Sequence, residues 1–450
     1  MYISTYIILK DKRASIIATL LVLFSVYRGF TDLYYRAAIG EVLSFVFIPM
    51  VLAGIYRVLY EHDRKGTLLI LGMFLLLITH TLSTILMIIV LIILMLIEWK
   101  KWFKELKIFW TIVRSAMIVL VVSAYYWIPM LEMMFSDRFQ FSQPWTDLSK
   151  NTLDQFGKLF FINMNLSSFP FGYELWLFIT IVLCLAFYWR QYFKNKFFRF
   201  ISIIFFGALL FTSNLIPVKY LRFMDFIQFP WRVFILMTIF GATLIAYAST
   251  LMNSKHRKFI YIPVILTVSF GLFSVYHYYN VSMKDYKYDA FPRYSIEHSY
   301  AEFLPIDVDM DMLINNRSKK QVEISQPITI DYTQDLIDFY AYFDQDQYKN
   351  TLLEFPVIYY KGYAAYYIND TEQGFLPVDK STNGLVRVDL GDVKSGNIRV
   401  FYNGTRIQRY SLLFSVVSIL VLGAYIILCE KNRMLKKYLD ELFAQRNLKR

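Results

Sequence analysis

The sequence predicts a polytopic α-helical membrane protein of about ten transmembrane helices, with an extracytoplasmic β-rich domain inserted before the last of them. Three observations carry this. The 450 residues are 57% hydrophobic and 19% aromatic, far more apolar than a soluble chain of that size. Apolar runs matched to a bilayer core of about 30 Å recur along the chain. Residues 278–410 break that pattern with alternating, strand-like segments and an acidic balance.

Taken in order, the apolar runs give spans at 14–27, 42–60, 67–79, 82–98, 109–130, 173–189, 199–213, 232–249, 259–277 and 411–429. Residues 66–99 are too long for one crossing: 34 residues would make a helix of roughly 50 Å. A hairpin broken at Thr79, His80 and Thr81 is the alternative, and charge favours it. With the hairpin, the basic clusters at 10–13, 100–107, 190–199, 255–258 and 431–450 share one side, which the positive-inside rule makes the cytoplasm. A single crossing would put the last four outside. Residues 27–41, His80, 131–171, 214–231 and 278–410 then lie outside, and the C-terminus is cytoplasmic.

The net charge of +12 does not imply nucleic acid, because the basic residues flank apolar runs, where topology and anionic lipid explain them. Cys184 and Cys429 sit within apolar runs far apart, so no disulfide framework or thiolate metal site is expected. Residues 1–9 are apolar but short, and Lys10, Lys12 and Arg13 follow rather than precede them, so no cleavable leader is expected.

Residues 278–410 carry 14 Lys plus Arg against 19 Asp plus Glu, a net of −5 within a basic chain. The stretches QVEISQPITIDY, FPVIYYKGYAAYYI, GLVRVDLG and GNIRVFYNGT alternate between Asn, Asp and Gly turns, which predicts a sandwich-like β domain. Asp307, Asp309 and Asp311 lack the glycine and position-12 glutamate of a calcium loop, so a solvated alternating face is expected. Tyr359, Tyr360 and Tyr363 suit either stacking on sugar rings or strand packing. Residues 430–450 read as a basic cytoplasmic tail after the last span.

Charges placed beside a bilayer are functional candidates by default, and residues 27–41 hold Arg28, Asp32, Arg36 and Glu41 between two apolar runs. Thr31 or Asp32 can cap a helix whose Arg36 lies four residues on, so an Asp32–Arg36 pair is geometrically easy; one reading then makes Asp32 and Glu41 N-terminal dipole partners and Arg36 an interfacial snorkeler. The other sets Arg36 on a lipid phosphate while Asp32 or Glu41 acts as base or orients a sugar hydroxyl. In residues 216–234, Lys219, Arg222 and Asp225 recur every three positions before Pro230, Trp231 and Arg232. That is an interfacial helix leading to a helix N-terminus with unpaired N–H groups, either an anion site or an aromatic-belt anchor. His80 is an acid, a base or a helix-terminating polar residue. The 131–171 loop carries Asp137, Arg138, Trp145, Asp147 and Asp154, a mix suited to lying on a membrane. No phosphate-cradling glycine loop, zinc spacing or serine elbow is present.

Residues 27–52 (YRGFTDLYYRAAIGEVLSFVFIPMVL), the ITHTLS break, QFPWRVF and the C-terminal β-run together resemble a bacterial family. It comprises proteins with the 6-pyruvoyl-tetrahydropterin synthase-related membrane domain and their YfhO-like neighbours, and its domain name does not imply pterin chemistry. The resemblance implies a type C glycosyltransferase-like fold with an extracytoplasmic site. Its donor would be a polyprenyl-phosphate sugar and its acceptor a cell-envelope glycan or polymer. In such enzymes an acid on the first outer loop serves as base or metal ligand. Relative to the family this chain begins late, so the loop that carries that acid is expected to be missing from it, as in a truncated or misannotated start or in a non-catalytic relative, and metal use stays open. Arg36, Glu41, His80 and Arg232 carry over as motif positions, with Asp32 or Glu41 the remaining acid candidates. Lys219, Arg222 and Trp231 complete the expected carrier-phosphate surface. The rival functions are a flippase or transporter of envelope precursors and a non-catalytic scaffold of envelope assembly.

Overall fold

The computed structural model describes residues 1–140, 159–161, 172–213, 215, 220, 222–280, 304–324, 329–335, 337–344, 351–393 and 395–447. Its helices are α1 (Tyr2–Leu9), α2 (Lys12–Leu23), α3 (Ile39–Tyr60), α4 (Thr67–Thr79), α5 (Thr81–Ile97), α6 (Trp99–Lys104), α7 (Leu106–Val122) and α8 (Ala124–Ser136). They continue with α9 (Leu175–Lys194), α10 (Lys196–Thr212), α11 (Phe234–Leu251), α12 (Tyr261–Tyr278), α13 (Met310–Lys319) and α14 (Arg406–Asn447). Two compact units result: Met1–Ser123 with Pro144–Asp289, and Ala124–Gln143 with Ala290–Arg450.

Six helices among the described residues are long and apolar enough to cross a membrane. Helices α7 and α8 pass the same test only as a bent pair, and α4 and α5 are shorter apolar helices. The protein is therefore a membrane-associated, multi-pass helical protein with a separate β-rich region.

In the first unit, helix ends follow local capping chemistry. Asp11 accepts a hydrogen bond from the Ala14 N–H at 2.9 Å and starts α2. Asn195 accepts from the Phe197 N–H at 3.1 Å and starts α10, as side-chain caps satisfy otherwise orphaned donors. Helix α11 is apolar and buried almost all round, as a helix at the centre of a bundle must be. The 66–99 segment is a hairpin, broken at His80, whose extended backbone (φ −155°, ψ 101°) ends α4 and opens α5. Helices α3 and α4 meet through small residues. A Cβ added to Gly54 would lie 2.6 Å from the Leu69 Cα, and one added to Gly72 2.9 Å from the Val51 nitrogen. Such close backbone approach is how apolar helices associate without a hydrophobic drive.

Charged connections gather at one end of this unit. Lys10 pairs with Glu61 at 3.2 Å, and Glu98 pairs with Lys196 and Arg199 at 3.6 and 3.8 Å. The Arg114 guanidinium donates to the Arg64 carbonyl and, at 2.9 Å, to the Lys65 carbonyl. The α2–α3 connection and the His80 break lie at the opposite ends of their helices.

The β-rich part of the second unit is nine antiparallel strands joined in one continuous order. Its strands, counted after a short parallel pair β1 (Phe160–Phe161) and β2 (Tyr173–Glu174) in the first unit, are β3 (Gln321–Ile324), β4 (Thr329–Asp335), β5 (Asp338–Asp344), β6 (Leu352–Ile358) and β7 (Tyr363–Ile368). Then come β8 (Gln373–Leu376), β9 (Val378–Lys380), β10 (Leu385–Asp389) and β11 (Ser395–Tyr402). The order is β8-β7-β11-β5-β4-β3-β6-β10-β9. Residues from both halves, Phe339 and Ile398 on one side and Phe355 and Val386 on the other, share one core. Pro356 interrupts β6 where the β10 register shifts between Leu385 and Val386, the bulged setting in which a strand tolerates proline.

The 307–311 alternation does not form the solvated strand face the sequence suggests. Asp309 caps α13 by accepting from the Met312 N–H at 2.9 Å, and Asp307 pairs with Lys380 at 3.1 Å. Helix α14 runs unbroken from Arg406 to Asn447, so the expected last span and basic tail form one helix. Helix α8 belongs to this unit because the Tyr125 N–H donates to the Ser415 Oγ at 2.8 Å and Glu132 pairs with Lys361 at 3.1 Å.

Lys380 also bonds both oxygens of Asp137, at 2.9 and 2.7 Å. Burial alone would lower its ammonium pKa, but the two carboxylates outweigh that and hold it above the ordinary lysine value. A raised cation stabilises the fold below its ordinary pKa and stops doing so as pH climbs through the raised one. Lys380→Met should lower stability by about 1 kcal/mol, since the pair is partly exposed, and should flatten the alkaline arm of a melting-temperature profile measured above pH 10.

Candidate functional site

The 27–41 stretch is where the helical pattern departs most from α geometry. Residues Tyr27–Tyr35 form a π-helix, closed by the Arg36 N–H donating to the Thr31 carbonyl, five residues back, at 2.9 Å. Wider π turns bring positions four and five apart onto one face, and such segments often occur at functional sites. Here Tyr27, Asp32 and Arg36 share that face. Ala37 then takes a left-handed conformation (φ 51°), which a residue with a Cβ adopts only at a cost, and the chain turns into α3.

The turn delivers Arg36 to two carboxylates. Its Nη1 bonds Asp32 Oδ1 at 2.6 Å and Glu41 Oε2 at 2.8 Å. The Tyr27 hydroxyl, fully buried, donates to Glu41 Oε1 at 2.7 Å. Asp32 and Glu41 are buried, while the Arg36 side chain keeps 17% of its surface exposed. Burial alone would make the guanidinium easier to deprotonate, but Glu41, Tyr27 and Asp32 reverse this and hold it charged. The planar group lies 4.5 Å over the Trp231 ring, a cation–π contact strengthened by desolvation. Among the described residues, Asp32 Oδ2 has no hydrogen-bond partner.

Asp32 is therefore not a helix cap: it sits in the body of the π-helix and pairs with Arg36. Glu41 stands in the first turn of α3, as the dipole reading expects. Gly40 lets that turn approach the hairpin break, since a Cβ there would lie 2.9 Å from the Thr79 carbonyl and 3.5 Å from His80 Cδ2. His80 thus neighbours the cluster, but its Nδ1 is engaged, 2.7 Å from Ser83 Oγ and 3.3 Å from the Ser83 N–H. That is the helix-terminating role.

Trp231 and Arg232 sit in a 3-10 turn, Pro230–Val233, that leads into α11. The expectation of unpaired N–H groups there is corrected for Arg232, whose N–H donates to the Phe229 carbonyl at 3.1 Å, because the tighter turn supplies an acceptor three residues back. The Arg232 Nη1 bonds Gln228 Oε1 at 2.7 Å. The preceding segment is a 3-10 helix, Arg222–Ile227, not a regular interfacial helix. Lys219 lies outside the described residues, as does the Arg222 side chain; Trp145, Asp147 and Asp154 also lie outside them.

Two buried groups escaped the sequence reading. Tyr27 completes the carboxylate's bonding, and only knowledge of the π-turn would put it beside Glu41. Glu174 is fully buried, and its Oε1 accepts from the Val26 N–H at 2.7 Å, just before the π-helix. A lone acid at the head of an apolar run was the available signal. Among the described residues no three His, Cys, Asp or Glu side chains converge as a metal site would require.

Chemically, the cluster is a cation clamped between two acids, with a second arginine nearby in sequence from Trp231. Both acids use Nη1, so the Nη2 and Nε edge of Arg36 makes no hydrogen bond among the described residues. Comparison with protein-family models, with curated proteins and with solved structures finds no match.

Proposed function

We propose that the protein is a membrane glycosyltransferase-like enzyme of about ten crossings, with a type C-like fold. It uses a polyprenyl-phosphate-linked sugar on the extracytoplasmic face to modify a cell-envelope glycan or polymer. The observation that carries this reading is the unpartnered Oδ2 of Asp32 beside an arginine that keeps one donor edge open. A buried acceptor left unsatisfied costs about 1–3 kcal/mol, and a substrate hydroxyl is the donor that would relieve it. Charge distribution supports the orientation. The end holding Lys10, Arg64, Lys196 and Arg199 is assigned to the cytoplasm under the positive-inside rule, which turns the Arg36 end, the 278–410 domain and its flanking loops outward. The resemblance of residues 27–52 and QFPWRVF to YfhO-like proteins supports the donor class.

In this reading the acceptor hydroxyl gives its proton to the Asp32 carboxylate while its oxygen attacks the anomeric carbon. The bond from that carbon to the phosphate oxygen breaks, and polyprenyl phosphate departs with the electron pair. Arg36 and Arg232 hold the departing charge, and Trp231 fixes the plane of Arg36. Lys219 and Arg222 are assigned to the carrier phosphate as well, and Glu41 keeps Arg36 in place. The donor already stores its energy in the glycosyl phosphate bond, so positioning and charge stabilisation supply much of the catalysis.

The test is transfer from a labelled polyprenyl-phosphate hexose by purified protein in lipid nanodiscs. Asp32→Asn should lower kcat by about 10²–10⁴-fold, the usual contribution of a general base, with carrier binding retained. Absence of both transfer and carrier binding in the unaltered protein would remove the reading. A non-catalytic scaffold is favoured instead by the closure of Arg36 on two acids, and it predicts that Asp32→Asn changes stability alone.

A further inference from the structure

The five-stranded half of the sheet, β8-β7-β11-β5-β4, has one face in the core and one open. Ala341, Ala365, Ile398 and Val400 point inward and are buried. By the two-residue period of a strand, their neighbours point outward. The registers place these neighbours in rows: Arg399 stands opposite Tyr366 and Tyr340, Tyr366 opposite Phe375, and Tyr340 opposite Thr333. Asn397, in the next row, stands opposite Ile368 and Tyr342, with Gln373 beyond Ile368. With strands about 4.8 Å apart, the longer row spans roughly 19 Å.

This face is neither an ordinary polar surface nor a greasy one. Phe375 is 66% exposed, Tyr342 59% and Ile368 48%, yet Ile368 is the sole aliphatic of any size in these rows. The aromatic rings are held in place: Tyr366 and Phe375 meet edge to face at 5.2 Å. Arg399 is fixed by Asp338 through its Nε at 2.9 Å and Nη2 at 2.6 Å, and lies 4.8 Å over the Phe401 ring. Flat rings thus stand beside flat hydrogen-bonding groups in both rows.

We propose that this face binds a neutral, linear oligosaccharide, its sugar rings stacked on Tyr340, Tyr342, Tyr366 and Phe375 and its hydroxyls bonded by Arg399, Asn397 and Gln373. A pyranose presents an apolar C–H face and a rim of neighbouring hydroxyls. Aromatic rings match the first, and guanidinium and amide groups, with paired donors and acceptors, match the second. The net charge of −5 over residues 278–410 opposes an anionic lipid surface or a nucleic acid as occupant. Arg399, on the central strand of this face, is already paired with Asp338 at 2.6 Å, which leaves these rows without net charge and suits a neutral occupant. The proposal rests on the transferase reading only in that the bound glycan would be the acceptor, and binding itself needs no transfer.

The experiment is titration of the full chain in detergent micelles with chitohexaose, maltohexaose and cellohexaose, with no donor present. At least one probe should bind the unaltered protein. The double variant Tyr342→Ala/Phe375→Ala should weaken that binding at least about tenfold, a loss of 1.4 kcal/mol, with an unchanged melting temperature because both side chains are exposed. Because no donor is present, glycan binding is read without any transfer, which separates this result from failure of the transferase site. No binding of any probe, or equal binding by the double variant, overturns the proposal. So does a double variant that binds glycan normally but loses self-association on size exclusion, since that would make the face a protein contact.

Discussion

Arg36→Ala should destabilise the first unit by about 3–5 kcal/mol, the usual cost of removing one partner from a buried ion pair, and should abolish carrier binding. The size follows from what remains. Asp32 and Glu41, both buried, would face each other without the cation that bonds them at 2.6 and 2.8 Å. Detergent melting temperature reads the stability loss, and retention of labelled polyprenyl phosphate reads the binding. Adding Asp32→Asn and Glu41→Gln to the Arg36→Ala background removes both orphaned charges. Most of the lost stability should return, since residues in one network are strongly non-additive, while carrier binding should not. Recovery of both would show that Arg36 acts only as a clamp. Arg36→Lys keeps the charge but not the planar fork or the stack on Trp231, so it should fall between the two.

Gly54→Val should separate α3 from α4. A Cβ at Gly54 meets the Leu69 Cα and nitrogen, each at 2.6 Å, and backbone cannot swing aside as the end of a side chain can. Overpacking of this kind costs about 1–3 kcal/mol, and valine adds two further methyl groups at the same point. The Gly72 contact with Val51, on the same helix pair, would loosen with it. Gly207→Ala is the control, because nothing lies within 4 Å of its added Cβ. It should leave the melting temperature unchanged or raise it, by up to about 1 kcal/mol of helix propensity. A Gly54→Val protein that melts with the unaltered one would contradict the packing described for α3 against α4.

Much of this was legible beforehand, and the reasons differ by element. Apolar run length and basic clusters are direct physical signals of bilayer and topology, so the helical bundle and the break at His80 could be read from residues alone. The Asp32–Arg36 pair was legible because four-residue spacing suits any helical turn. What was hidden was the π-turn: apolar periodicity is tuned to 3.6 residues, and a five-residue bonding pattern leaves no comparable trace. Tyr27 stayed unassigned for that reason. Strand β5 went unread because its open face is as aromatic as its buried one, which hides the alternation a half-buried strand normally shows. The 307–311 aspartates misled in the opposite way. Their alternation looked like a strand, but Asp309 precedes a helix, and a carboxylate there competes more effectively as a cap.

The π-helix also bears on how this chain can change over time. Relative to an α-helix it accommodates an additional residue, so its sequence spacing is out of phase with a helix of the same rise. Deleting one residue between Tyr27 and Tyr35 would let the segment settle into the commoner geometry with the chain beyond it still in phase, because the wide turn is what absorbs the extra residue. Only the bonding inside the segment would have to re-form. The same deletion within a flanking α-helix would rotate everything beyond it by about 100°, so this segment tolerates a change of length that its neighbours do not.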